Sequence, residues 1–71
     1  MKNATYIEKD QNWTDGNTTY WFDVEGETYG VVEGENAGLV DSESMPIDSE
    51  PQHIQARIAA ACVVTDAMRA A

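Results

Sequence analysis

Thr18-Thr19-Tyr20-Trp21-Phe22-Asp23-Val24, Glu25-Gly26-Glu27 and Thr28-Tyr29-Gly30-Val31-Val32-Glu33 read as two antiparallel strands joined by a tight turn. Both runs are rich in aromatic and β-branched residues, which suit a pleated, half-buried surface. Side chains alternate across a strand, so Tyr20, Phe22 and Val24 share one face while Trp21 and Asp23 point the other way. Gly26 supplies the positive φ that a two-residue hairpin demands. Working outward, similar grammar predicts strands over residues 4–9 and 38–42. Gly34-Glu35-Asn36 forms the next turn. Val24-Glu-Gly-Glu-Thr28 and Val32-Glu-Gly-Glu-Asn36 resemble one another as two turns of one meander.

Near Ser49 the pattern changes. All six aromatics and all five glycines precede residue 42, whereas Gln52–Ala71 holds neither glycine nor proline and contains seven alanines. Ile54, Ile58, Ala61, Thr65 and Met68 follow helical spacing, with Val64 nearby. Ser49-Glu50-Pro51-Gln52 offers an N-cap, an early-turn proline and a reciprocal glutamine. The expected fold is α+β: a three- or four-stranded antiparallel β-meander packed against one C-terminal α-helix. With 71 residues this is a single domain, the meander over 1–42, a connection over 43–48 and the helix over 49–70. Met45 and Ile47 of the connection are expected to tuck beneath the helix.

Charge narrows the function. The chain carries thirteen acids and four bases, a formal net charge of −9. Between Asp10 and Ala56 there are eleven acids and no lysine or arginine, where average composition would place roughly five bases. Carboxylates without nearby cations repel and destabilise a compact state, a cost that a small core absorbs poorly. Nothing on this chain would neutralise phosphate, so direct nucleic-acid binding is not expected. Asp23/Glu25/Glu27, Glu33/Glu35, Asp41/Glu43 and Asp48/Glu50 are spaced i, i+2, which on an extended strand sets carboxylates in rows about 6.6–7 Å apart. Such rows would imitate the phosphates of a nucleic-acid strand, about 3.4 Å per step. The other reading of the same acids is a solvated face that maintains solubility.

Other chemistry is thinly represented. Cys62 is the single cysteine, so no disulfide framework or thiolate metal cluster is expected, and its helical neighbours place it in the core. Asp10-Gln-Asn-Trp-Thr-Asp-Gly16 has its glycine one residue late for a calcium loop and reads as a turn. His53 is alone in the first helical turn. No metal, cofactor or catalytic residue is assigned, because a chain this short offers little room for a cleft of about 300 Å³ or more. No stretch approaches the ~20 apolar residues of a membrane span, and no secretory leader is visible, which makes the cytosol the expected compartment.

Lys9-Asp10-Gln11-x-Trp13, Asp15-Gly16 and Tyr20-x-Phe22-Asp23 together resemble a stretch of the small acidic phage anti-CRISPR proteins of the DNA-mimic type. The resemblance spans about residues 7–23 and leaves the C-terminal helix unmatched. It implies a non-enzymatic phage protein, acting in the host cytosol, that occupies a DNA-binding surface of a CRISPR effector, in particular a type I surveillance complex. By the same resemblance Asp10, Asp15 and Asp23 are candidate contacts. With the acidic rows, the candidate partner-binding set is Asp10, Asp15, Trp21, Asp23, Glu25, Glu27, Glu33, Glu35, Asp41 and Glu43. Two other readings stay open. A small structural protein could dimerise through a helix made apolar over a wide arc by Ala59, Ala60, Cys62, Val63, Ala67 and the Ile54–Met68 seam, or an antitoxin-like chain could cover a basic partner.

Overall fold

A computed structural model describes residues 4–12 and 16–71. The elements in order are β1 (Ala4–Asn12), β2 (Asn17–Val24), β3 (Glu27–Glu33), β4 (Gly38–Asp41), α1 (Gln52–Ala61) and α2 (Asp66–Ala70). The four strands form one antiparallel sheet in the order β1-β2-β3-β4. This is the expected meander, with helix on one side. The β2–β3 turn has φ of 54° at Glu25 and 85° at Gly26, the doubly left-handed geometry whose twist matches a hairpin.

Register fixes which side chains face the helix. Tyr6↔Phe22↔Tyr29↔Asp41 and Ala4↔Val24↔Glu27 are cross-strand rows, as is Lys9↔Tyr20↔Val31↔Leu39. Directly opposed residues share a face. The core is therefore Tyr20, Phe22 and Val24 from β2, with Ile47, Ile58 and Cys62 closing over them. The rings of Tyr6 and Phe22 meet at 5.6 Å between centroids, tilted by 56°, a favoured aromatic geometry.

The register slips between Tyr6 and Glu8, so that Ile7 is the extra residue of a β-bulge. A bulge reverses the alternation beyond it. Before it, Ala4 and Tyr6 face the helix; after it, Lys9 and Gln11 do. Glu8 and Asp10 consequently point to the open side, and Ile7 is left 50% exposed.

Two expectations about the helical segment need correction. The helix expected over 49–70 is shorter and interrupted, with Cys62–Thr65 non-helical between α1 and α2. Val63, Val64 and Thr65 are consecutive β-branched residues, which lose side-chain freedom in a helix. Thr65 instead adopts an extended conformation and accepts the Met68 amide through its side chain, capping α2 at 3.2 Å. The bend lets Cys62, Val64 and Met68 all return to one sheet. The predicted Ser49 cap is also absent: Pro51 is the N-cap of α1, without a side-chain hydrogen bond. Gln55 Nε2 reaches back to the Glu50 carbonyl at 2.7 Å instead.

The connection divides Met45 from Ile47. Ile47 is buried, 5% exposed, but Met45 is 59% exposed. Ile47 donates its amide to the Leu39 carbonyl, and Asp41 donates its own to the Met45 carbonyl. A Val40↔Pro46 bridge completes the lining of the β4 edge. That edge is thereby closed to strand pairing.

Candidate functional site

The structure sorts the acids by face, and it breaks the rows expected from their spacing. Asp23 lies opposite Thr28, whereas Glu27 lies opposite Val24. Asp23 therefore points to the open face and Glu27 to the helix side, with Glu25 on the turn between them. Glu33 is on the helix side and Glu35 in the following loop; Asp41 is on the helix side and Glu43 in a turn. The i, i+2 spacing failed because each of these pairs straddles a strand end, where extended geometry stops. Asp15 and Trp13 lie outside the described residues.

Several of these carboxylates have structural duties. Asp41 Oδ1 accepts the amides of Glu43 at 2.9 Å and Met45 at 3.0 Å, so it shapes the turn that closes the sheet edge. Asp23 Oδ1 accepts the Gly26 amide at 2.8 Å. Glu27 accepts the Tyr29 hydroxyl at 2.9 Å, and that hydrogen bond, together with burial, raises the Tyr29 pKa above its ordinary value.

The cations are just as clearly sorted. Arg69 donates from Nε and Nη2 to the Glu33 carboxylate and from Nη1 to Asp66. Hydrogen bonding to Arg69 holds the Glu33 carboxyl below its usual range against the opposing effect of burial. Burial pushes the Tyr20 phenol up, and the neighbouring Glu33 charge adds to that rise. Lys9 Nζ donates to the Arg69 carbonyl at 3.0 Å and to Ala71 O at 2.7 Å. Arg57 sits on α1. Lys9, Arg57 and Arg69 thus all belong to the helical side. Among the described residues, the open face of the sheet has no lysine or arginine.

On that open face the row Glu8↔Trp21↔Gly30↔Val40 runs across all four strands. The next row is Asp10↔Thr19↔Val32↔Gly38. Trp21 lies down over Gly30: a Cβ built at Gly30 would be 2.9 Å from Trp21 Cζ3 and 2.8 Å from both Thr19 Cγ2 and Val40 Cγ2. The missing side chain is what lets the indole rest on the sheet. Contrary to the expectation that so short a chain has little room for one, a groove of about 300 Å³ runs beside the ring, with Val32, Val40 and Pro46 as apolar lining and Asp10, Asn12 and Asn17 among its polar residues. Asn17 is itself buried, and its Oδ1 accepts the Asn36 amide at 3.4 Å.

Sequence reasoning placed Trp21 opposite Tyr20 and Phe22, and the structure agrees. It missed Glu8 as a surface acid beside Trp21, because the bulge that turns Glu8 outward has no glycine to announce it. The buried thiol of Cys62, its pKa raised by desolvation, is a core group as expected. His53 is exposed. Among the described residues no group of three or more His, Cys, Asp or Glu is placed to hold a metal ion, and no helix is long and apolar enough to cross a membrane.

The helices leave a second exposed surface. Ala59, Ala60, Val63 and Ala67 face outward, Val63 being 59% exposed. Comparison of the chain with known protein families, curated proteins and solved structures finds no match.

Proposed function

We propose that this chain is a non-enzymatic inhibitor that sets its open sheet face against a Lys/Arg-rich nucleic-acid-binding surface and excludes DNA by occupancy. One observation carries the reading: the described cations are all on the helical side, which leaves Glu8, Asp10 and Asp23 uncompensated around Trp21. The acidic turns at Glu25, Glu35 and Glu43 extend the negative potential beyond that face. The face is built on a continuously hydrogen-bonded four-stranded sheet, so it meets a partner without a large ordering cost. The local resemblance over residues 7–23 names the target class, a CRISPR effector of the type I surveillance kind, reached in the cytosol of a phage-infected host.

The mechanism needs no bond chemistry. A field from nine net negative charges steers encounter with a basic channel and raises the on-rate, an effect that salt screens. The carboxylates need not reproduce phosphate spacing; lysine and arginine side chains are long enough to find them. Binding to a purified type I surveillance complex should weaken by at least about tenfold between 50 and 300 mM salt, and bound protein should block loading of the DNA duplex. Salt-independent binding, or binding that leaves DNA loading unchanged, contradicts the proposal. Assembly through Ala59, Ala60, Val63 and Ala67 is the competing reading, and it predicts a dimer in sedimentation and no effect on DNA loading.

A further inference from the structure

Trp21 occupies a particular place on the open face. Glu8 is its direct cross-strand neighbour, Asp10 is diagonal to it, and Asp23 is two residues along its own strand. Those relations place the Cα atoms of Glu8, Asp10 and Asp23 about 5, 7 and 7 Å from that of Trp21. Glu8 and Asp10 on β1 therefore neighbour the position of Trp21, while Asp23 Oδ1 accepts the Gly26 amide, on a face with no lysine or arginine among the described residues. The ring rests on Gly30 and is only half-buried. The groove beside it is lined by Val32, Val40 and Pro46.

We infer that this arrangement is a receptor for one arginine side chain of the partner protein, the guanidinium stacking on Trp21 with the carboxylates of Glu8 and Asp10 on its β1 side. The inference rests on the inhibitory reading above and specifies its anchoring contact. Charge complementarity selects a cation, and the indole selects which one. A guanidinium is planar, weakly hydrated and stacks on aromatic faces while donating sideways to carboxylates. An ammonium is a compact, strongly hydrated charge that gains less from a flat ring. The apolar part of the groove, Val32, Val40 and Pro46, suits the aliphatic stem of the same side chain, and its polar part includes Asp10, Asn12 and Asn17. Asp10 is both a rim carboxylate and a lining residue of that groove, so stem and head can be engaged together.

The test titrates the isotopically labelled protein with hexa-arginine and, separately, hexa-lysine, following the Trp21 indole N–H by NMR. Hexa-arginine should move that signal and bind roughly fivefold or more tightly than hexa-lysine, the advantage expected of a stacked guanidinium. Trp21→Leu, followed through its backbone amide signals, should remove the preference while leaving hexa-lysine affinity nearly unchanged. Because that variant disturbs the packing over Gly30, the pair Glu8→Gln and Asp10→Asn serves as a second variant at exposed positions, and it should weaken hexa-arginine binding by about tenfold. Equal affinity for the two peptides, or a stationary Trp21 signal, overturns the arginine site. In that event salt-dependent blocking of DNA loading would still stand as charge mimicry without an anchor. An arginine preference with no blocking of DNA loading would uphold the site and remove the inhibitory reading.

Discussion

Arg69 of α2 clamps Glu33 at the end of β3, with its Nε and Nη2 both on the carboxylate and the shortest contact 2.8 Å. The two residues are 36 positions apart, and their pairing ties the last helical turn to the sheet. Lys9 makes a parallel tie from β1 to the chain end. Both ties hold positive charge on the helical side, opposite an open face that has no lysine or arginine among the described residues.

Solvent limits what the clamp contributes, since Arg69 and Glu33 remain 46% and 36% exposed. Arg69→Ala should lower Tm by only a few degrees in a thermal scan. The pH dependence is the sharper signature. The folded protein holds the Glu33 carboxyl below its ordinary value, so in that window the unfolded chain binds more protons. The contribution is therefore complete above the ordinary glutamate range and is lost as pH falls through the lowered folded value. The stability difference between wild type and Arg69→Ala should shrink on acidification across that window. A difference that stays constant would show that the clamp does not set the Glu33 charge.

Gly30→Ala puts a methyl group where Thr19, Trp21 and Val40 already crowd. The indole must lift, and stability should fall by about 1–3 kcal/mol, measured by urea denaturation. The Trp21 indole N–H should shift in the same variant. An unperturbed Trp21 signal would mean that the ring does not rest on Gly30.

Glu25 holds a φ of 54°, which a glutamate side chain tolerates poorly and an asparagine more readily. Glu25→Asn, creating the favoured Asn-Gly pair, should raise stability by about 0.5–1 kcal/mol and lift Tm by several degrees. Loss of stability would indicate that the contacts of the Glu25 side chain outweigh the backbone strain.

Cys62 is 4% exposed beside Ile58, which is 2% exposed. Its thiol should resist a disulfide reagent in the native protein and react promptly in denaturant. Ile58→Ala should cost about 2–5 kcal/mol, comparable to everything a core of this size supplies, so far-UV circular dichroism should report a largely unfolded chain. Fast native labelling of Cys62 would contradict the packing of the helices on the sheet.

Local signals explain what the sequence revealed. Alternation in Tyr20–Val24, Gly26 and Gly34 at the turns, and the alanine-rich segment after Pro51 each act over a few residues. They placed all four strands and the side on which the helix lies. The failures were non-local or depended on where a strand ends. The bulge at Ile7 is set by how β1 must match β2, and it alone decides that Lys9 turns toward the helix while Glu8 and Asp10 turn away. The spacing of Asp23, Glu25 and Glu27 implied one face, but the hairpin folds between them. The run Asp10–Ala56 looked free of cations, yet Arg69 reaches Glu33 from outside it. The Val63-Val64-Thr65 interruption was written locally, but it was outweighed by the alanines around it.

The account turns on the open face acting as the electrostatic contact, and paired charge reversals test that most directly. Glu8→Lys with Asp10→Lys changes the open face by four charge units; Asp48→Lys with Glu50→Lys makes the same change just before α1. In a DNA-loading assay on a type I surveillance complex, the first pair should weaken inhibition by at least about tenfold while the second retains most of it. Equal losses from the two pairs, or full inhibition by the first, would contradict the assignment of the open face.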